Sequence, residues 1–123
     1  MKKISAHYIF PLVTSPLKNG IIVLDDEKIF QEIIDTKGQI HETARLEFYS
    51  GIIIPAIEGL NISELIHKQQ QMPTLHLEEI LKCFISENWQ GFLPGEKASV
   101  FLIFPVDMVN MRITEKSKLK KLV

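Results

Sequence analysis

The sequence predicts an α+β domain, in which strands from both ends of the chain form one small sandwich-like or barrel-like sheet around two central helices. Apolar residues alternate at both ends, whereas they follow helical spacing in the middle, and the two patterns do not interleave. The chain has 123 residues and 46% hydrophobic content, which suits a single domain. We therefore expect one domain over 1–123, with N-terminal strands in 1–56, two helices in 60–90 and C-terminal strands in 91–123.

The N-terminal part contains four runs rich in Ile, Val, Phe and Tyr, separated by residues that favour turns. The predicted strands cover residues 3–12, 20–24, 28–35 and 47–54. Strict alternation in the first strand predicts one covered face, formed by Ile4, Ala6, Tyr8 and Phe10, with Ser5 and His7 on the other. Residues 25–28 read DDEK and contain no glycine, which favours a type I turn over a primed turn.

The central part is predicted to hold two helices. Asn61 and Glu64 have the spacing of a capping pair, because an asparagine side chain accepts hydrogen bonds from the free amides of the first turn. The first helix should run to about Met72 and stop before Pro73. The second helix carries one apolar stripe with i, i+3, i+4 spacing, formed by Leu77, Ile80, Leu81, Phe84 and Ile85.

The C-terminal part returns to the strand pattern over residues 98–107 and 110–123. Four lysines lie close together in the last strand. Alternation places Lys116, Lys118 and Lys120 on one exposed face, with Lys121 beside them. Positive charge there would discourage pairing with another strand edge, so we expect a solvated face rather than an anion site.

Composition excludes several classes of partner. The 14 basic and 15 acidic residues give a formal charge of −1, so we expect no nucleic-acid partner. No run approaches the roughly 20 apolar residues that span a bilayer, and we expect no membrane association. Cys83 is the only cysteine, which fits a reducing compartment, and it lies beside the helical stripe as a small buried hydrophobe. We expect a soluble cytoplasmic protein.

The titratable side chains do not form a recognisable catalytic pattern. The histidines do not pair at i+2 or i+4, the spacing typical of metal ligands; they are His7, His41, His67 and His76. Glu78 and Glu79 are neighbours in the first turn of a helix and should point to different faces. The acidic turn at residues 25–27 offers too few oxygens for calcium. We expect no catalytic residue, metal or cofactor.

Three segments of the chain together carry a family resemblance. Residues 7–26 (HYIFPLVTSPLKNGIIVLDD) and 48–55 (FYSGIIIP) resemble the N-terminal strands of the amidohydrolase superfamily, the metal-dependent deaminases and chlorohydrolases such as cytosine deaminase. In that family these strands end before the first strand of a TIM barrel. Residues 91–103 (GFLPGEKASVFLI) are similar to the element that returns to the composite β-sandwich, with Ser99 in place of the usual aspartate. The resemblance implies the framework strands of such an enzyme.

The resemblance also shows what is missing from this chain. In the family, a proline in the place of Pro55 is followed within a few residues by a His-x-His pair that binds the catalytic metal. Here the corresponding triplet is Asn61, Ile62 and Ser63, and residues 60–81 instead resemble the segment after the eighth barrel strand. A complete barrel needs roughly 200 residues or more. We therefore expect no TIM barrel and no metal ligands.

Two functions follow from this resemblance. The first is a non-catalytic, barrel-less remnant that serves as a small structural or interaction module and forms a homodimer through apolar surface that a barrel would cover. The expected interface residues are Leu65, Ile66, Met72, Leu77, Leu81, Phe84, Trp89 and Phe92; alternatively, the helices fold back onto the sheet. The second function is a hydrolase acting on carbon–nitrogen bonds other than peptide bonds, either by itself or with a partner chain that supplies the metal site.

Overall fold

The computed structural model of the protein describes residues 1–39 and 46–123. The described residues form strands, then helices, then strands, as predicted. The elements are β1 Lys2–Ile9, β2 Leu17–Lys18, β3 Ile21–Leu24, β4 Phe30–Ile34, β5 Leu46–Pro55, α1 Ile62–Gln71, α2 Leu77–Lys82, β6 Val100–Asp107 and β7 Arg112–Lys121. Neither helix has the length and hydropathy that a membrane crossing requires.

All the strands belong to one mixed sheet with the order β4-β3-β1-β5-β6-β7, and β2 pairs with β1 beside β3. β1 and β5 are parallel, and the other pairs are antiparallel. Residues 52–55 of β5 pair with residues 100–103 of β6, which joins the two ends of the chain in one layer. The predicted α+β class and shared layer are confirmed.

The sheet is open, which differs from the sandwich-like or barrel-like closure that we expected. At one end, β7 has β6 as its neighbour in the sheet. At the other end, the edge of β4 is bonded to the irregular segment 95–98: Phe30 N donates to Glu96 O at 2.8 Å, and Gly95 N donates to Phe30 O at 2.9 Å. These bonds cover the β4 edge without closing the sheet on itself.

Apolar side chains cover both faces of the sheet. One cluster lies under the helices, where Leu65 of α1 and three residues of α2 pack on β5 and β6; these residues are Leu77, Ile80 and Leu81 on the helix and Ile52, Ile54 and Ile103 on the strands. The second cluster lies on the other face and includes Ile4, Ala6, Ile22, Leu24, Ile53 and Leu102. Each fully buried aliphatic side chain stabilises the fold by about 1.5–3 kcal/mol.

The predicted alternation of β1 is wrong over its second half. Ile4 and Ala6 belong to the second cluster with Ile9, whereas Tyr8 and Phe10 pack in the helix-side cluster. The pairing of β1 with β5 shifts between Ala6 and Tyr8, where β5 contributes one additional residue. A β-bulge of this kind redirects the side chains that follow it. The predicted single face is therefore divided between two cores.

The first helix agrees with its predicted boundaries. Asn61 is the N-cap, and its Oδ1 accepts a hydrogen bond from Glu64 N at 2.9 Å. The helix ends at Gln71, two residues before Pro73. The second helix ends at Lys82, before the apolar stripe does, because the next residues form i→i+3 bonds that tighten the chain. Phe84 and Ile85 still pack against the helix-side cluster from this tighter turn.

Candidate functional site

The structure places the histidines on different elements. His7 is exposed on β1, where its Nε2 lies 3.4 Å from Ser50 Oγ and its ring meets Phe48 edge-on at a centroid distance of 5.2 Å. His67 is exposed on α1, and His76 is the exposed N-cap of α2. His41 lies outside the described residues. Within residues 1–39 and 46–123, no three His, Cys, Asp or Glu side chains are grouped as metal ligands.

The acidic residues at both candidate sites have structural partners. Asp25 Oδ1 accepts from Glu27 N at 2.8 Å and Ile29 N at 2.9 Å, which holds the turn between β3 and β4. Glu78 forms a salt bridge with Lys82 at 2.9 Å, one helical turn away. Glu79 Oε1 accepts from His76 N at 3.2 Å and so satisfies an amide at the start of α2. These contacts explain the carboxylates as turn and helix-end groups.

Cys83 is exposed, so the prediction of a buried cysteine is wrong. α2 ends at Lys82, and the tighter turn that follows brings Cys83 to the surface beside the stripe. Its Sγ donates to Glu79 O at 3.4 Å. That contact is to the backbone of its own helical turn, and it gives the thiol no basic partner that would activate it.

The predicted interface residues do not form one surface. Leu65, Leu77 and Leu81 are fully buried between the helices and the sheet, so they are unavailable to a partner in this conformation. The helices have folded back onto the sheet, which was the alternative expectation. The remaining predicted residues are partly exposed: Ile66, Met72, Phe84, Trp89 and Phe92.

The two aromatic anchors lie on opposite sides of the sheet. Trp89 packs against the helix-side cluster. Phe92 belongs to the second cluster and stacks on Phe30 at a centroid distance of 5.5 Å with an interplanar angle of 26°. A single partner surface on one face of the sheet therefore reaches only one of them.

The first half of β5 is largely exposed, in contrast to its buried second half; we call it the β5 open edge and define it as residues 46–51. β6 pairs with β5 only from Ile52 onward, so in the described chain β1 is the sheet neighbour of the open edge. Two irregular positions lie where the pairing of β5 with β6 stops. Gly51 has a φ of +143°, and Pro105 interrupts the ladder of β6 because proline has no N–H to donate.

Aromatic and polar side chains line the β5 open edge. Phe48 is 43% exposed, which is unusual for a large apolar residue in the middle of a sheet. Tyr49 Oη donates to Glu47 Oε2 at 2.8 Å. That hydrogen bond, followed by partial burial and the Glu47 charge, raises the pKa of the Tyr49 hydroxyl above its ordinary value. Lys2 Nζ lies 3.6 Å from the same carboxylate.

The basic edge, which we define as residues 116–121 of β7, is solvated as predicted. Lys116, Lys118, Lys120 and Lys121 are exposed, and β7 is the last strand of the sheet. Ser117 lies between the lysines and is buried, and its hydroxyl donates to Pro105 O. The exposed lysines therefore lie on a strand whose buried side is fixed to β6 by the Ser117 hydrogen bond.

Two polar groups beside β7 were not predicted. Gln69 is 6% exposed, and its side chain bonds to Met72 O, Leu75 O and Ile113 N. Gln69 follows Leu65 by one helical turn and so lies on the apolar face of α1, where burial is expected. Arg112 lines a cavity of about 310 Å³ between α1 and β7, and its Nε is buried with no hydrogen-bond partner among the described residues.

Comparison with known proteins provides no relative for this chain. No family model, curated protein or solved structure matches it. The similarity of residues 7–26, 48–55 and 91–103 to the amidohydrolase superfamily therefore stays a prediction. The features that remain for a functional argument are the two strand edges.

Proposed function

We propose that the protein is a small, non-catalytic interaction module, related to the framework strands of amidohydrolases, that forms a homodimer. The observation that carries this proposal is the β5 open edge, where ordered strand residues have one sheet neighbour in the described chain. Exposed strand edges offer backbone N–H and C=O groups to another strand. An exposed aromatic beside such an edge, Phe48, adds apolar area that a partner would bury.

A second copy of this chain suits the edge because the edge is self-complementary. In an antiparallel pair centred on a two-fold axis at Phe48, each Phe48 would oppose its counterpart and each Glu47 would oppose a Tyr49. Aromatic pairs and donor–acceptor pairs across strands are favourable, and no like charges stand directly opposite. Pairing of the basic edge with itself would instead place lysines opposite lysines.

The test is the solution mass measured by light scattering over a range of protein concentrations. We expect wild type to approach twice the chain mass of 14.1 kDa. Phe48→Lys should be monomeric, because it places two cations opposite each other on the axis. Val109→Lys is the matched control, since Val109 is 91% exposed in the β6–β7 connection and lies outside the proposed contact; this variant should remain dimeric.

Three results would contradict the proposal. A wild type that stays at the chain mass at every concentration, or a Phe48→Lys variant that dimerises like wild type, would refute the role of the edge. Stoichiometric zinc or iron in the purified protein, together with release of ammonia from an aminated heterocycle, would refute the non-catalytic part and favour hydrolysis of carbon–nitrogen bonds.

A further inference from the structure

The basic edge differs from the β5 open edge in both position and charge. Residues 118–121 pair with residues 101–104 of β6, so half of their backbone N–H and C=O groups point away from the sheet. Among the described residues, no backbone hydrogen bond links this outer side to another element. The outer side is therefore a regular strand edge at the end of the sheet.

Positive charge is concentrated along this edge. Lys116, Lys118, Lys120 and Lys121 fall within six residues of a chain whose formal net charge is −1. None of the four forms a salt bridge with another described residue. The acidic residues of the strands are spread over the sheet, and none of them forms a salt bridge with these lysines; they are Glu32, Glu47, Asp107 and Glu115. In the part of the chain that the structure describes, the lysines are therefore not held in ion pairs and can contact a partner.

The geometry of the edge selects the kind of partner. Side chains on one face of a strand are about 6.7 Å apart, so alternate acidic residues of an extended peptide would match Lys118 and Lys120 in spacing. An extended polypeptide can replace the water on the outward backbone groups with an alternating series of main-chain hydrogen bonds. The same lysines oppose pairing with a second copy of β7, because like charges would face each other. A phosphate polymer would match the charge but not the backbone groups.

We propose that the basic edge of β7 binds an extended, acidic segment of another protein, which adds to the sheet as a further strand. Carboxylates at alternate positions of that segment contact Lys118 and Lys120, and the main chain pairs with residues 118–121. This interaction is independent of the dimer proposed for β5, because the two edges belong to different strands.

The proposal is tested with two labelled octapeptides, one alternating Glu and Val and one alternating Gln and Val, by fluorescence anisotropy with the full chain. The Glu peptide should bind, its affinity should fall as salt is added, and the amides of residues 118–121 should exchange more slowly in the complex. The Gln peptide should bind at least about tenfold more weakly, because it pairs with the backbone but lacks the charge.

Two double variants distinguish the effect of the basic edge on peptide binding from the effect of the protein's net charge. Lys118→Glu with Lys120→Glu should weaken binding of the Glu peptide roughly tenfold or more. Lys37→Glu with Lys97→Glu makes the same change in net charge at other exposed positions and should leave binding unchanged. The Phe48→Lys variant should also bind like wild type, so a failure of the dimer proposal is distinguishable from a failure here. A urea unfolding curve for each variant checks that it is folded.

Several results would overturn the proposal. They are the absence of binding by the Glu peptide, equal binding of the Gln peptide, equal weakening by the Lys37 and Lys97 changes, or slowed exchange confined to other strands. Inorganic polyphosphate that binds as tightly as the Glu peptide would also overturn it, because the lysines would then act as a charged patch without strand addition.

Discussion

Replacing Gln69 should destabilise the protein more than its position in a run of three glutamines suggests. The Gln69 side chain links three parts of the chain. Its Nε2 donates to Met72 O at 3.2 Å and to Leu75 O at 2.7 Å, and its Oε1 accepts from Ile113 N at 3.2 Å. These bonds join the end of α1, the connection to α2 and the start of β7.

The magnitude follows from the groups that would lose partners. In Gln69→Leu, the two carbonyls each lose a hydrogen bond worth about 0.5–1.5 kcal/mol, and the buried Ile113 N–H is left unsatisfied at a cost of about 1–3 kcal/mol. The apolar area of leucine offsets part of this loss. The expected net decrease in the free energy of unfolding is about 2–4 kcal/mol.

Urea denaturation followed by circular dichroism measures this change. With an m-value of about 1–3 kcal/mol/M, the midpoint should fall by about 1–2 M. Gln70→Leu is the matched control, because Gln70 is the exposed neighbour of Gln69 in the same helix; its midpoint should shift little. Equal midpoints for wild type and Gln69→Leu, or equal losses in the two variants, would refute the reasoning.

Three further predictions concern the sheet. Gly51→Ala should destabilise the protein by about 2–4 kcal/mol in urea, because its Cβ would lie 2.5 Å from Ile103 O at a φ of +143°; an unchanged midpoint would contradict this. Arg112→Met removes a buried Nε that has no hydrogen-bond partner within residues 1–39 and 46–123, so the free energy of unfolding should stay level or rise by about 1 kcal/mol, and a clear decrease would be inconsistent. Glu47→Gln should lower the pKa of Tyr49, seen as phenolate absorbance appearing at lower pH. In wild type the raised pKa adds stability below the unfolded-state pKa of Tyr, and this contribution is lost as the pH rises through the folded-state value.

Elements whose ends depend on neighbouring residues could be predicted from the sequence. The first helix is the clearest case, since Asn61 satisfies an amide of its first turn and Pro73 follows its last residues. The longer strands were also located correctly, because short β-branched runs are separated by turn residues, whereas the two-residue β2, Leu17–Lys18, was not predicted. In both cases the determining interactions lie within a few residues along the chain.

The errors occurred where the backbone departs from ideal strand or helix geometry. The faces of β1 change between Ala6 and Tyr8, where its pairing with β5 shifts register. Cys83 became exposed because the chain tightens after α2. Alternation and helical spacing assume ideal geometry, and neither pattern contains information about a bulge or a shortened helix.

Helical spacing alone indicates that Gln69 is buried. It follows Leu65 by four residues and precedes Met72 by three, so it lies on the apolar face of α1. A polar residue at such a position is buried and needs hydrogen-bond partners. The sequence indicates its burial, but it does not indicate that one partner is Ile113, which lies 44 residues away.

The prediction of an apolar interface underestimated how far the chain can cover its own faces. Helices that follow a strand can fold back and bury side chains that point out of the sheet, as Leu65, Leu77 and Leu81 do here. The same movement leaves a strand edge open, because edge N–H and C=O groups lie in the plane of the sheet, where water, a loop such as residues 95–98 or another strand bonds to them. A strand edge that no segment of the chain covers is therefore available to a partner, whereas the covered faces are not. For this reason we expect partners at the β5 open edge and at the basic edge of β7.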